Sequence, residues 1–131
     1  MKTLLITGVT GFLGGAVFEK ILNDDSQINY LLLVRATDSQ AGVERVKENM
    51  RKFNISESIL SRLNCEHIII GDLGTPEQFL DDPRLDSVTH VLNCAAVASF
   101  GNNPLIWKVN VEGTLAFAGR MAKVQDRKSV V

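Results

Sequence analysis

Three glycines at a spacing of three, in Thr7-Gly8-Val9-Thr10-Gly11-Phe12-Leu13-Gly14, carry the clearest chemical signal in this sequence. They follow an apolar run, Leu4-Leu5-Ile6, and precede Phe18, Ile21 and Leu22 at helical spacing. Strand, glycine turn and helix in that order can hold a pyrophosphate. Gly8 suits the tight turn, and Gly11 lets a phosphate approach the backbone without meeting a Cβ. Gly14 lets the helix sit close on the strand, and free N–H groups at the helix start attract the anion. The spacing is G-x-x-G-x-x-G, not the commoner G-x-G-x-x-G. Its plain alternative is a tight turn with incidental glycines.

A dinucleotide on such a turn has its adenosine ribose inspected at the end of the next strand. An acid about 20 residues beyond the last glycine binds the ribose hydroxyls of NAD. Here that place is taken by Arg35. A guanidinium pairs a 2′-phosphate through two hydrogen bonds, so the charge favours NADP. Arg45, in the following helix, is placed to approach the same phosphate, while Asp38 competes as a partner for Arg35. Both arginines also have a plain reading as solvated charges. Asp72 follows the third strand and either accepts from an adenine amino group, with Leu73 on the ring, or bonds its own backbone in a turn. Ala95 and Ala96 are small enough for the backbone to approach ribose and pyrophosphate. Asn110 and Gly113 are poor helix formers inside a helical stretch, which asks for a reason. Asn110 is a candidate to order a water or brace a catalytic Lys. His67 and His90 have no partners at useful spacing and read as structural.

Positioning these groups takes alternating strands and helices. Residues 2–7 read as the first strand and 11–24 as the first helix. Tyr30-Leu31-Leu32-Leu33-Val34 is a continuous apolar run, the form of a strand covered on both faces. Asp38 and Ser39 are candidate N-caps for a helix with Val43, Val46, Met50 and Phe53 on one side. Ser56-Glu57-Ser58-Ile59-Leu60 suits a short extra turn, and Cys65 to Ile70 the third strand. A short helix starts at Thr75-Pro76-Glu77 and is stopped by Asp81-Asp82-Pro83. Val88 to Cys94 reads as the fourth strand, and Asn103-Pro104 caps a long helix to about Val124. Lys128-Ser129-Val130-Val131 begins a fifth strand. The alternation predicts a Rossmann-type doubly wound parallel α/β sheet, of order 3-2-1-4 with the fifth strand begun beside the fourth.

Composition limits the alternatives. The 131 residues suffice for one domain with a real core. Lys plus Arg number 14 against 15 Asp plus Glu, a balance that excludes a nucleic-acid footprint or a polybasic membrane surface. The apolar runs are too short to span a bilayer. Cys65 and Cys94 have no C-x-x-C and no His at ligand spacing, so both read as buried, reduced thiols in a cytoplasmic protein, with no metal site.

The glycine motif, Leu31-Leu32-Leu33-Val34-Arg35, Gly71-Asp72-Leu73, Ala95-Ala96 and Asn110-Val111-Glu112-Gly113-Thr114 occur in that order. Together they resemble the extended short-chain dehydrogenase/reductase superfamily. Gly-Phe-Leu-Gly followed by Leu-Val-Arg is similar to its thioester-reductase and fatty acyl-CoA reductase branch. The resemblance implies that Gly8, Thr10, Gly11, Phe12, Leu13 and Gly14 hold the pyrophosphate of NADP, and that Arg35 and Arg45 take the 2′-phosphate. It implies Asp72 and Leu73 at the adenine, and Ala95, Ala96 and Val97 at the ribose and nicotinamide. Asn110 matches the helix asparagine that supports the catalytic Lys through water.

The chemistry of that branch also needs a Tyr-x-x-x-Lys pair, in which the Lys lowers the pKa of the Tyr. The only tyrosine here is Tyr30, with Val34 four residues later. The expectation is therefore a truncated N-terminal dinucleotide-binding domain over 1–131, without the substrate lobe and not catalytically complete. The parent would reduce a small-molecule or carrier-bound acyl thioester, or an aldehyde. A nucleotide-sugar epimerase or dehydratase of the same superfamily, and a non-catalytic NADP sensor, are the rival readings. An unpaired sheet edge and an apolar helix face would make the isolated chain self-associate.

Overall fold

The computed structural model describes residues 2–24, 28–94 and 129–130. The expected long helix from Asn103, and with it Ala95, Ala96, Val97 and Asn110, lies outside the described residues.

Strand β1 spans Lys2–Thr7 and is followed by helix α1, Phe12–Asn23. Strand β2 spans Ile28–Val34, and its residues Leu31 to Val34 are all buried, as a strand between two covered faces requires. Helix α2 spans Ser39–Arg51 and starts where expected: the Asp38 carboxylate accepts from the Ala41 N–H at 2.8 Å. That bond satisfies one of the donors left open by a helix start. Val43, Val46 and Met50 bury one side of α2. The single turn α3, Glu57–Leu60, is capped by the Ser56 hydroxyl. Strands β3, Ile68–Ile70, β4, His90–Asn93, and β5, Ser129–Val130, complete the sheet.

The strand order is β3-β2-β1-β4-β5 and every described pairing is parallel. This is the expected doubly wound order, 3-2-1-4, with β5 beside β4. The period of two along each strand sorts the apolar residues into two layers. Ile6, Leu32, Val34 and Ile68 face α1 and α2, packing on Phe18, Val43, Val46 and Met50. Leu5, Leu31, Leu33, Ile69 and Val91 face the opposite way, onto Leu73, Phe79, Leu85 and Val88. Each such side chain contributes about 1.5–3 kcal/mol on leaving water.

Three local departures from the expected boundaries have physical causes. Strand β3 starts at Ile68, because Cys65–His67 forms a 3₁₀ turn. Its cap is Asn64, whose side chain accepts from the Glu66 N–H at 2.9 Å, a local bond that competes with strand pairing. The Asn64 N–H in turn donates to His67 Nδ1 at 3.2 Å, and the imidazole stacks on Tyr30 at 4.3 Å between centroids. Cys65 is consequently exposed, not buried as expected, while Cys94 is half-buried and burial pushes its thiol up.

The segment from Pro76 forms one 3₁₀ turn, Pro76–Gln78, and no longer helix. A second, Pro83–Ser87, ends with the Val88 N–H on Leu85 O, so β4 begins only at His90. Arg84 fixes this second turn to the start of β3. Its guanidinium bonds both oxygens of Asp82, at 2.7 Å to Oδ2 from Nη2, and donates from Nη1 to the carbonyls of Glu66 and Ile68. The pairing holds the Asp82 carboxyl below the usual carboxylate range.

Candidate functional site

Thr7 lies in register with Leu33 of β2 on one side and Asn93 of β4 on the other. The turn that leaves β1 therefore opens between two neighbours whose connections run in opposite directions. At such a switch point the sheet edge forms a crevice. The floor is fixed by Thr7, which is fully buried and whose hydroxyl donates to the Asn93 side-chain oxygen. The Cys94 N–H adds a bond to Thr7 O at 3.1 Å.

The turn itself has three glycines with three different geometries. Gly8 has φ 72°, a left-handed conformation strained for other residues. It closes the turn by accepting from the Gly11 N–H at 3.0 Å. A Cβ on Gly14 would lie 2.0 Å from Gly8 O and 2.6 Å from Gly8 C, so α1 rests on the turn with no room for a side chain. Among the described residues, a Cβ on Gly11 would meet only Gly8 O, at an ordinary 3.4 Å. The first two glycines named are needed by the fold, whereas the space above Gly11 is free for a ligand.

Gly11 is also the N-cap of α1, with no side-chain cap bond over it among the described residues and no acidic residue in the first turn. The first N–H groups and the positive end of the helix dipole are thus left for an anion. Phe12 and Leu13 flank the turn at 83% and 64% exposure, unusual for residues of their size. These features fit the pyrophosphate of a dinucleotide.

Arg35 is exposed directly beyond β2, and Arg45 is exposed on α2. The two come together: Arg45 Nη1 donates to the Arg35 carbonyl at 2.5 Å. Asp38 is engaged as the α2 cap, and among the described residues it forms no ion pair with Arg35. Asp72 takes the turn geometry, its Oδ1 accepting from the Gly74 N–H at 3.0 Å. Leu73 is 2% exposed within the second core layer, so its side chain is spent on packing.

Two contributions escaped the sequence reading. Asn49 of α2 reaches the glycine turn, its Nδ2 donating to Val9 O at 3.1 Å and Gly11 O at 3.3 Å. The Thr7–Asn93 bond joins residues 86 apart in sequence. The only hint of either lies in Asn49 standing one helical turn beyond Arg45, a spacing common on solvated faces. Tyr30 is remote from this edge: it precedes Val34 by four residues, about 13 Å of strand, and packs between Phe18 and His67. Among the described residues no group of His, Cys, Asp or Glu could hold a metal, and no helix is long and apolar enough to cross a membrane.

Comparison with known proteins agrees with this geometry. A probable fatty acyl-CoA reductase from Arabidopsis thaliana is 31% identical over 144 residues, which cover 95% of this chain and 29% of that protein. The terminal R domain of the myxalamid PKS-NRPS pathway superposes with a TM-score of 0.80 at 24% identity, covering 99% of this chain and 34% of that one. The reductase domain of a non-ribosomal peptide synthetase from Mycobacterium tuberculosis gives 0.72 at 30% identity, covering 99% and 32%. The chain spans less than a third of the length of the curated relatives it matches. A family model described as male sterility protein, an NAD-binding domain, matches residues 6–131. That match begins inside β1 and takes in the glycine turn and both arginines, so the chain belongs to this NAD-binding family, within the fatty acyl-CoA reductase-like branch of the extended short-chain dehydrogenase/reductases.

Proposed function

We propose that this chain holds NADP(H) for an oxidoreductase that reduces an acyl thioester. The observation that carries the reading is the junction of Arg35 and Arg45 at the end of β2, beside a glycine turn open to an anion. Two guanidinium groups there suit a 2′-phosphate, and the ribose-binding carboxylate of an NAD site is missing. The reductase names of the relatives support the reaction class.

In this reading the N–H groups at the start of α1, with Gly8, Thr10, Gly11 and Gly14, orient the pyrophosphate. Phe12 and Leu13 shield its flank from water. The second carboxylate oxygen of Asp72, Oδ2, accepts from the adenine amino group. Ala95, Ala96 and Val97 would border the ribose and nicotinamide, and Asn110 would order the water that supports a Lys. Bound NADPH would supply a hydride to the thioester carbonyl. The proton donor is assigned to a Tyr-x-x-x-Lys pair outside these 131 residues, since Tyr30 is packed away from the edge. The acyl group would arrive on a thiol carrier, as coenzyme A or a carrier protein.

Titration with NADPH and NADH tests the cofactor. NADPH should bind the more tightly, and Arg35→Ala should weaken NADPH about tenfold or more, the scale of a charged hydrogen bond, while leaving NADH nearly unchanged. Tighter binding of NADH by the wild-type chain would overturn the NADP assignment.

A further inference from the structure

We infer that Asn49 is a positioning residue for the pyrophosphate turn, turning its N–H groups toward the ligand from behind. Asn49 is half-buried on α2, one turn beyond Arg45. Its amide spans two carbonyls of the turn, Val9 O at 3.1 Å and Gly11 O at 3.3 Å.

In a planar trans peptide the C=O and the following N–H point in opposite directions. Holding the Val9 carbonyl toward α2 therefore aims the Thr10 N–H away from α2. Holding the Gly11 carbonyl, which also accepts from the Gly15 N–H at 2.9 Å, does the same for the Phe12 N–H. Both donors then face the open side of the turn, and two carbonyl oxygens that would repel a phosphate are turned from it. Space for the amide is provided by Gly15, where a Cβ would lie 2.8 Å from Asn49 Nδ2.

Arg45 and Asn49 thus put one side of α2 in contact with both ends of the site. Arg45 holds the carbonyl of Arg35, and Asn49 holds the glycine turn. The inference rests on the dinucleotide reading above, and it adds a residue that touches the turn but not the ligand.

The test compares two ligands on the same protein. NADPH carries both pyrophosphate and 2′-phosphate, whereas adenosine 2′-monophosphate carries only the latter. Asn49→Ala should weaken NADPH about tenfold, the scale of a lost hydrogen-bond pair, and leave the monophosphate within about twofold. Asn49→Asp keeps the size of the side chain but sets an anion against two carbonyls. It should show the same selective loss, and it carries the test if the alanine variant does not fold.

A loss shared equally by both ligands would show a general structural role and overturn the inference. Unchanged NADPH affinity in both variants would overturn it as well. A wild-type protein that binds neither ligand would refute the dinucleotide reading itself, and the role of Asn49 with it.

Discussion

Gly11 and Gly14 are the same residue type three positions apart, yet the structure assigns them opposite sensitivities. At Gly14 an added methyl would lie 2.0 Å from a backbone oxygen that cannot swing aside. Gly14→Ala should cost about 1–3 kcal/mol of unfolding free energy, or prevent folding, as overpacked cores do. At Gly11, with φ −90° and open space above it among the described residues, a methyl is compatible with the fold. Gly11→Ala should keep its unfolding free energy within about 0.5 kcal/mol of wild type, as a surface change does, yet lose NADPH affinity. Equal stability losses in the two variants would contradict the division.

The turn at Gly8 and the close packing at Gly14 were visible in the sequence, because the motif assigns each of them that task. Asn49 was not visible, because an asparagine on a charged helix face is ordinary and its partners lie 38 and 40 residues away. Leu73, directly after Gly71-Asp72, packs its side chain in the layer formed by Phe79 and Val91, a burial that the motif does not record.

Among the elements, those with a strong period were placed well by their spacing. Val43, Val46 and Met50 marked α2, and Asp38 marked its start. The third strand was drawn too long, since Asn64 and His67 close a 3₁₀ turn through bonds that no hydrophobic pattern records. This turn has a pH dependence. Burial holds His67 below its ordinary 6.5, with Glu66 pulling the other way, and Nδ1 must be unprotonated to accept from the Asn64 N–H. Above the unfolded value both states are neutral, and the contribution of the turn is fully present. As the pH falls, the unfolded chain takes up a proton first, so stability is lost down through the lowered folded value.

The neighbouring charges are Glu66 on the turn and Arg62, which acts on the Tyr30 stacked against the imidazole. The thermal midpoint should therefore fall as the pH drops from about 7 through the lowered folded value. His67→Gln, whose amide oxygen accepts without titrating, should flatten that slope. An unchanged slope in the variant would assign the effect to other groups.

For the molecule as a whole, the order β3-β2-β1-β4-β5 followed from the alternation of elements and the glycine turn alone. The described layers confirm why: apolar side chains alternate between two faces, one covered by α1 and α2 and the other by the segment from Leu73 to Val88. What alternation does not record is how unevenly the sheet is tied together. Strand β1 meets β2 across 26 residues in the register Lys2 to Ile28, but meets β4 across 86 in the register Leu4 to His90. Closing the longer loop costs about 1 kcal/mol more in chain entropy.

The side of the sheet with α1 and α2 should therefore assemble first and β4 dock last, and in the native state β4 should open first. Amides of β4 should exchange with deuterium faster than those of β2; equal protection would argue against a separate opening. The Thr7–Asn93 bond under the glycine turn crosses this seam. Its breakage would loosen the glycine turn while the larger core stayed folded, so affinity for the proposed dinucleotide should decline on heating before that core melts.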